Sequence, residues 1–590
     1  MNKINFLLIL SLCILIAAPL CNAKTGHMPL LAVSQTKDGY VGSNADLYLE
    51  IKPGNGRVFI DTFPLTQLDT QISTRFAKSI ACNYAEVDCD YYDFFYTIRA
   101  DSSIIGGPSA GSAVAALTIS MLENIKIDES TAITGTINSG GIVGPVSGLK
   151  EKIEAASKAD LKKVLIPSGT RFQKQENESY DLVEYGKEIS IEVIEVSDID
   201  DILYEIAGIK KQKTNETPET SEEYSRIMMS LGEMLCSKSQ QLKYEYESMK
   251  KDDLDEEINK IQQNAFNLSE KGKTAFDEEK YYSAASFCFG ANTQYRYLVL
   301  LMQDLNKSEI AEIIESTRQE IGIFDSKIPF KYETITDLQT YAVVKERLIE
   351  AEDYLDISEE NLGKGKKDES INSLAYAIER LYSAEAWSEF FNNKGESFDF
   401  SKDVLRESCQ TKIMEAEERY QYVKMFFPKE IEGTRKLIDL AYEDMENSDY
   451  ELCLFKASKA KAESDIILST LGMDEEQIPD LIEKKLEIVG RKIVETSNKG
   501  LFPIVGYSYY EYAKTLKDDD KYSALLYSEY ALELSNLEIY FEKSKKPGAV
   551  YFDSELIYVF ILGVSIGLFL GLLLFRKKTR KDCLEIKLKR

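Results

Sequence analysis

From Leu556 to Phe575 the chain runs through twenty residues without a charged side chain. A helix of that length rises about 30 Å, the thickness of a bilayer's hydrocarbon core. The run therefore reads as one C-terminal transmembrane helix, 556–575. Arg576, Lys577, Lys578, Arg580 and Lys581 follow at once. The positive-inside rule makes 576–590 a basic cytoplasmic tail. At the other end Lys3 precedes a largely apolar run from Ile4 to Ala18, with small residues at Cys21-Asn22-Ala23. This pattern reads as a signal peptide, 1–23, or else as an uncleaved anchor; Pro19-Leu20 before Cys21 does not suit lipidation. Together the ends predict a single-pass protein of the cell membrane whose bulk lies outside the cytoplasm.

The intervening chain is too long for one ordinary domain. Its charge pattern excludes nucleic acid as a partner, because the whole chain carries a formal −28 and phosphate backbones need cationic surfaces. Residues 28–208 read as α+β. Strands are expected at Leu30–Val33, Ala45–Ile51, Arg57–Ile60, Phe94–Ile98, Ala132–Thr136, Ile142–Val143, Lys163–Ile166 and Ile189–Val196. Helices are expected over 66–82, after Gly106-Gly107-Pro108, and over Leu149–Ala159. The turn Pro53-Gly54-Asn55-Gly56 reads as returning the chain directly onto its neighbour. Residues 209–222 are polar and aperiodic, a linker.

From 223 to 550 the pattern is helical, acidic and rich in tyrosine. Tyr282/Ala285/Ala291, Ile371/Leu374/Ala377, Tyr450/Cys453/Ala457 and Tyr522/Leu525/Ala531 follow polar turns at helical spacing. They suggest helical hairpins of tetratricopeptide-like form or an irregular bundle, with the tyrosine stripes in the core. Cys82 and Cys89 are close enough to pair. Cys236, Cys288, Cys409 and Cys453 read as buried single thiols. No Cys-x-x-Cys or His-x-x-x-His spacing occurs, and no phosphate loop, so neither metal nor cofactor is expected.

Gly107-Pro108-Ser109-Ala110-Gly111 matches G-x-S-x-G. Such a turn is either a capped strand-to-helix junction or a nucleophile site whose helix N-terminus can stabilise an oxyanion. A serine nucleophile needs a base, and the chain has one histidine, His27. A Ser-His-Asp triad is nearly excluded, which leaves lysine. In Gly148-Leu149-Lys150-Glu151-Lys152-Ile153-Glu154-Ala155-Ala156, helical spacing puts Lys152 on the apolar face with Leu149, Ile153 and Ala156. Lys150 falls on the solvated side. An amine on the apolar face loses hydration, and its pKa drops towards the range of a general base; equally, Lys152 can snorkel out to water.

The segment 104–166, with its GPSAG turn, ITG strand, Gly-rich hairpin, GLKEK helix and closing VLIP strand, resembles the proteolytic domain of Lon proteases. The resemblance implies that Ser109 attacks the peptide carbonyl, that Lys152 takes its proton, and that Thr134 helps orient the lysine. It implies a serine endopeptidase acting on unfolded protein or peptides, with a capacity for homo-oligomeric rings. Gly563, Gly567 and Gly571 in the apolar run add overlapping G-x-x-x-G patterns that favour self-association. The chain departs from the family pattern at Gly106, where many members carry an acid, and in showing no ATPase motif, so an ATP-independent enzyme is expected. The competing reading is a catalytically idle Lon-like fold serving as a membrane-bound scaffold or binding module.

Overall fold

The computed structural model describes residues 24–541, 543 and 562–570, apart from 37–38, 66–67, 101–106, 176–177, 211–217, 251–255, 330–331, 392–394, 425–426, 428–430, 471–472 and 474. The described residues from 24 to 541 form one compact unit.

Its first sheet is built from strands with one dry face. In β2 (Gly39–Pro53) Ala45, Leu47, Leu49 and Ile51 are buried at every second position, the period that sends alternate side chains to one side. β1 (Lys24–Thr36) pairs with it antiparallel. β3 is Val58–Phe63, and it is followed by helix α1 (Leu68–Tyr84) and β4 (Tyr92–Ala100). The sheet order is β1-β2-β4-β3. The expected direct return of β3 onto β2 is thus wrong: β4 lies between them, antiparallel to β2 and parallel to β3. The turn's hydrogen bonds explain why. Gly54 and Gly56 donate to the carbonyls of Tyr91 and Tyr92. The buried Asp93 carboxylate accepts from the backbone N–H of Asn55 and Arg57, at 2.8 and 3.1 Å. The turn is committed to the start of β4, and β4 takes the edge of β2.

Helix α2 (Gly111–Leu122) is buried on every side except its last residue, as a helix sandwiched between layers must be. It packs against α1 and β1. After it come β5 (Thr131–Ile133), β6 (Thr136–Ile137), β7 (Val143–Gly144), α3 (Leu149–Lys158) and β8 (Lys163–Pro167). The hairpin β9 (Phe172–Gln175) and β10 (Glu178–Asp181), then α4 (Leu182–Glu188), β11 (Glu192–Val196) and α5 (Ile199–Ala207), complete this part. β5, β8 and β11 form a second, parallel sheet, and β6 and β7 pair as a short ribbon.

The remainder is helical: α6 (Glu222–Met249), α7 (Glu256–Asp277), α8 (Tyr281–Met302), α9 (Lys307–Asp325), α10 (Ile335–Gly363), α11 (Lys367–Trp387), α12 (Lys402–Lys424), α13 (Glu432–Asn447), α14 (Tyr450–Thr470), α15 (Ile478–Asn498), α16 (Ile504–Leu516) and α17 (Lys521–Leu534). The four similar sequence segments open α8, α11, α14 and α17. Each of these helices packs against the one before it, and Ala291, Ala377, Ala457 and Ala531 are fully buried, so the partner helix can approach closely. Tyr282 and Tyr450 are buried as expected, whereas Tyr522 is 60% exposed and belongs to no core.

The two parts meet through buried charge. Arg419 on α12 donates from Nη2 to Ile137 O (3.1 Å) and Asn138 Oδ1 (2.8 Å), while its Nε lies 2.9 Å from Asp465. Behind it Lys461 pairs with Glu533, and Glu533 with Lys412. Burial alone would push the Glu533 carboxyl up, but the two lysines hold it down at about 2. Such clusters are not strong stabilisers against an apolar alternative, yet removing one partner costs roughly 3–5 kcal/mol.

Among the described residues there are three disulfides, Cys82–Cys89, Cys236–Cys288 and Cys409–Cys453. The last two correct the expectation of single buried thiols. Cys236 and Cys288 face each other across α6 and α8, and Cys409 and Cys453 across α12 and α14, pairings created by helix packing rather than sequence proximity. Among the described residues no helix is long and apolar enough to cross a membrane. The proposed span 556–575 lies outside the described residues except for 562–570, which are helical and exposed. The proposed signal and the basic tail also lie outside them.

Loop-closure entropy grows with loop length, at about 2 kcal/mol for a loop like 82–89 and about 4 kcal/mol for one like 236–288. Denaturant unfolding should therefore show a larger loss for the pair Cys236→Ser/Cys288→Ser than for Cys82→Ser/Cys89→Ser. Equal losses would show that the longer bridge does not act through the unfolded chain.

Candidate active site

Ser109 sits in a 3-10 turn, Pro108–Ala110, that leads into α2 at Gly111. The turn requires Gly107, whose φ of 91° is closed to ordinary side chains. It is gripped by the start of α1. Gly107 N–H donates to Asp69 Oδ2 at 2.8 Å, and the hydroxyls of Thr70 and Ser73 donate to the carbonyls of Gly107 (3.4 Å) and Pro108 (3.3 Å). Gly107 and Pro108 are buried and Ser109 is half-buried, so its surroundings are fixed while the side chain keeps a way out.

Lys152 lies on α3, which begins at Gly148 in a left-handed conformation, φ 67°. Leu149, Ile153 and Ala156 are fully buried and Lys152 is 3% exposed, so the apolar face is the one read from spacing, and the amine does not snorkel to water. Its Nζ donates to Thr134 Oγ1 at 3.0 Å. Burial drives the Lys152 pKa down to about 7, with Glu151 opposing weakly. Lys150 instead stands over the ring of Tyr180, 4.0 Å from its centroid.

Thr134 is completely buried and is held from β8 by its N–H to Leu165 O, 3.0 Å. The next residue closes the circuit: Gly135 N–H donates to Ser109 O at 2.9 Å, and Gly135 O accepts from Ser112 N–H at 3.1 Å. The serine turn, the threonine and the lysine thus share one neighbourhood, joined through the backbone at 134–135. His27 is occupied elsewhere, 2.8 Å from Asp46 and 3.3 Å from Glu129. Its engagement there fits a serine site with a lysine rather than a histidine partner.

Three contributors escaped sequence reasoning. Asp69 reads as an ordinary acid in the first turn of a helix, and only the fold shows it holding Gly107. Tyr422 on α12 comes from far along the chain. Its hydroxyl accepts from Ser147 N–H at 3.2 Å and lies 3.1 Å from Ser147 Oγ. Its ring covers the open side of Gly107, where an added Cβ would stand 3.4 Å from Cε2. Arg419, on the same helix, holds the β6 end. Nothing in the tyrosine-rich pattern distinguishes these positions from the core.

Residues 84–207 match the model of the Lon protease (S16) C-terminal proteolytic domain. The archaeal Lon protease of Pyrococcus abyssi is 35% identical over 139 residues, which cover 24% of this chain and 13% of that protein. The archaeal Lon protease of Archaeoglobus fulgidus is 39% identical over 109 residues, 18% of this chain and 16% of that protein. The Lon protease of Rickettsia felis is 37% identical over 128 residues, 21% of this chain and 16% of that protein. The match thus spans less than a fifth of each relative's length. The family-model match contains Ser109, Thr134 and Lys152, and residues 84–207 are a Lon-type proteolytic domain.

Proposed function

We propose that this chain is a serine endopeptidase working through a Ser109–Lys152 dyad, without ATP, on unfolded protein or peptides. The observation that carries the reading is a buried lysine, its pKa lowered to about 7, bonded to Thr134 and tied through Gly135 to the Ser109 turn. Neutral Lys152 takes the Ser109 proton as Oγ attacks the scissile carbonyl. The resulting ammonium returns the proton to the leaving amine, and a water repeats the cycle on the acyl-enzyme. Thr134 Oγ1 accepts from the amine at 3.0 Å and holds it in place. The positive end of α2 supports the developing oxyanion.

The setting we propose is extracytoplasmic and membrane-anchored, with 1–23 as signal and 556–575 as span. Three disulfides favour an oxidising compartment. The Gly563/Gly567/Gly571 pattern supports self-association of the anchor.

Three outcomes follow. Ser109→Ala and Lys152→Ala should each reduce hydrolysis of an unfolded protein by about 10³-fold or more, as losing a dyad member does, while Lys150→Ala retains most of it. A dead Lys150→Ala beside an active Lys152→Ala would reverse the choice of base. A wild-type chain that neither hydrolyses nor reacts with a serine-directed probe would favour the scaffold reading.

The pH profile follows from the sign of the Lys152 shift. Only neutral amine is a base, so kcat/KM should rise about tenfold per pH unit below about 7 and level off above it. A flat profile from pH 5 to about 9, with chemistry rate-limiting, would remove the lysine base.

A further inference from the structure

We infer that the helical part is built into the active site, with Tyr422 as a positioning residue that ties the nucleophile turn to the base-bearing helix. The inference rests on the peptidase reading and deepens it.

Two loops must keep their spacing for a dyad to work: 107–109, which presents Ser109, and 147–148, which starts the helix carrying Lys152. On one side they are linked through Thr134 and Gly135, as described. Tyr422 supplies a second, independent link. Its ring lies on Gly107, two residues before the serine, and its hydroxyl meets both the N–H and the Oγ of Ser147, immediately before the first residue of the α3 turn. The side chain is 5% exposed. Burial pushes the phenol pKa up, so it stays protonated, able to donate to one partner while it accepts from another.

The support for Tyr422 is itself rigid. Arg419 lies one helical turn earlier on α12 and is anchored to Ile137 O and Asn138 Oδ1 of the protease part. Residues at i and i+3 share a helix face, so both project onto the same surface. Asp69 grips the same Gly107 from α1 through its N–H. Gly107 is therefore clamped between an α1 carboxylate and an α12 ring. Ser109 remains half-buried beneath this arrangement and is not sealed by it.

The test is Tyr422→Phe in the full chain, with Tyr422→Ala, Ser147→Ala and the double variant Tyr422→Phe/Ser147→Ala. Readouts are kcat and KM on a fluorogenic peptide, the rate of fluorophosphonate labelling at Ser109, and Tm. Misplacing catalytic groups slightly costs rate rather than affinity. Tyr422→Phe should therefore lower kcat and the labelling rate by about tenfold, with KM within about twofold and Tm nearly unchanged. Ser147→Ala should add little to it, because the two residues form one link. Tyr422→Ala should be slower still, through loss of the ring on Gly107. Wild-type kcat and labelling in Tyr422→Phe would overturn the inference and leave the dyad standing. So would losses that track Tm alone, or fully additive effects of Tyr422→Phe and Ser147→Ala. A wild-type chain inert to both peptide and probe would overturn the peptidase reading and this inference with it.

Discussion

A guanidinium sealed inside a protein must find its partners there, and Arg419 finds them on both sides of a junction. Its Nη2 bonds Ile137 O and Asn138 of the protease part, and its Nε faces Asp465 of the helical part. An uncompensated buried charge costs several kcal/mol, so neither part can leave the other without exposing this group. The chain's two architectures, which sequence patterns separate at a polar stretch, are therefore one mechanical body. The course of α12 follows from that anchor, and with it the position of Tyr422 over the serine turn.

The same interior shows why Lys152 differs from other buried lysines. Lys412 is equally buried, and burial opposes its charge, but Glu415 and Glu533 at 3.2 and 2.5 Å hold its pKa above the ordinary value. Lys152 has a hydroxyl for a partner in place of a carboxylate, and only the weak pull of Glu151, so burial wins and its pKa falls. Lys492 is also lowered by burial. It lies against the Gly140 turn, where an added Cβ would meet its side-chain carbons at 2.9 Å. A lowered lysine is therefore not by itself a base; what singles out Lys152 is the hydroxyl it donates to and the backbone route from that hydroxyl to Ser109.

Much of this site was legible because it is written in local periodicity. The apolar face of α3 marked Lys152 as the buried amine, the single histidine spoke against the commoner triad, and small residues at helical spacing marked the second helix of each packed pair. What was not legible depends on partners distant in sequence. The 53–56 turn looks like a hairpin until β4 claims its N–H groups through Asp93 and the carbonyls of Tyr91 and Tyr92. Cys236 and Cys288 occupy helical positions no different from those of a core thiol until α6 and α8 align. Asp69 and Tyr422 have ordinary identities, an N-terminal acid and one tyrosine among many, and gain their significance only by arriving at Gly107. Helical spacing states which face is dry and not what dries it.

That dryness also bears on how a substrate could enter. A helical part tethered by a flexible linker could gate the site by swinging away, and its removal would leave the protease part intact. Here such a motion would strip Arg419 of Ile137 and Asn138, uncover Tyr422, and separate it from Ser147. Each loss is unfavourable, and each of the two hydrogen bonds from the Arg419 guanidinium is worth about 1.5–3 kcal/mol. Ser109 is only half-buried with α12 in place. Access to Ser109 with α12 left where it stands asks least of the structure. Selection of a substrate would then rest on the surface around the serine turn, which the helical part helps to define through the Tyr422 ring on Gly107 without having to move.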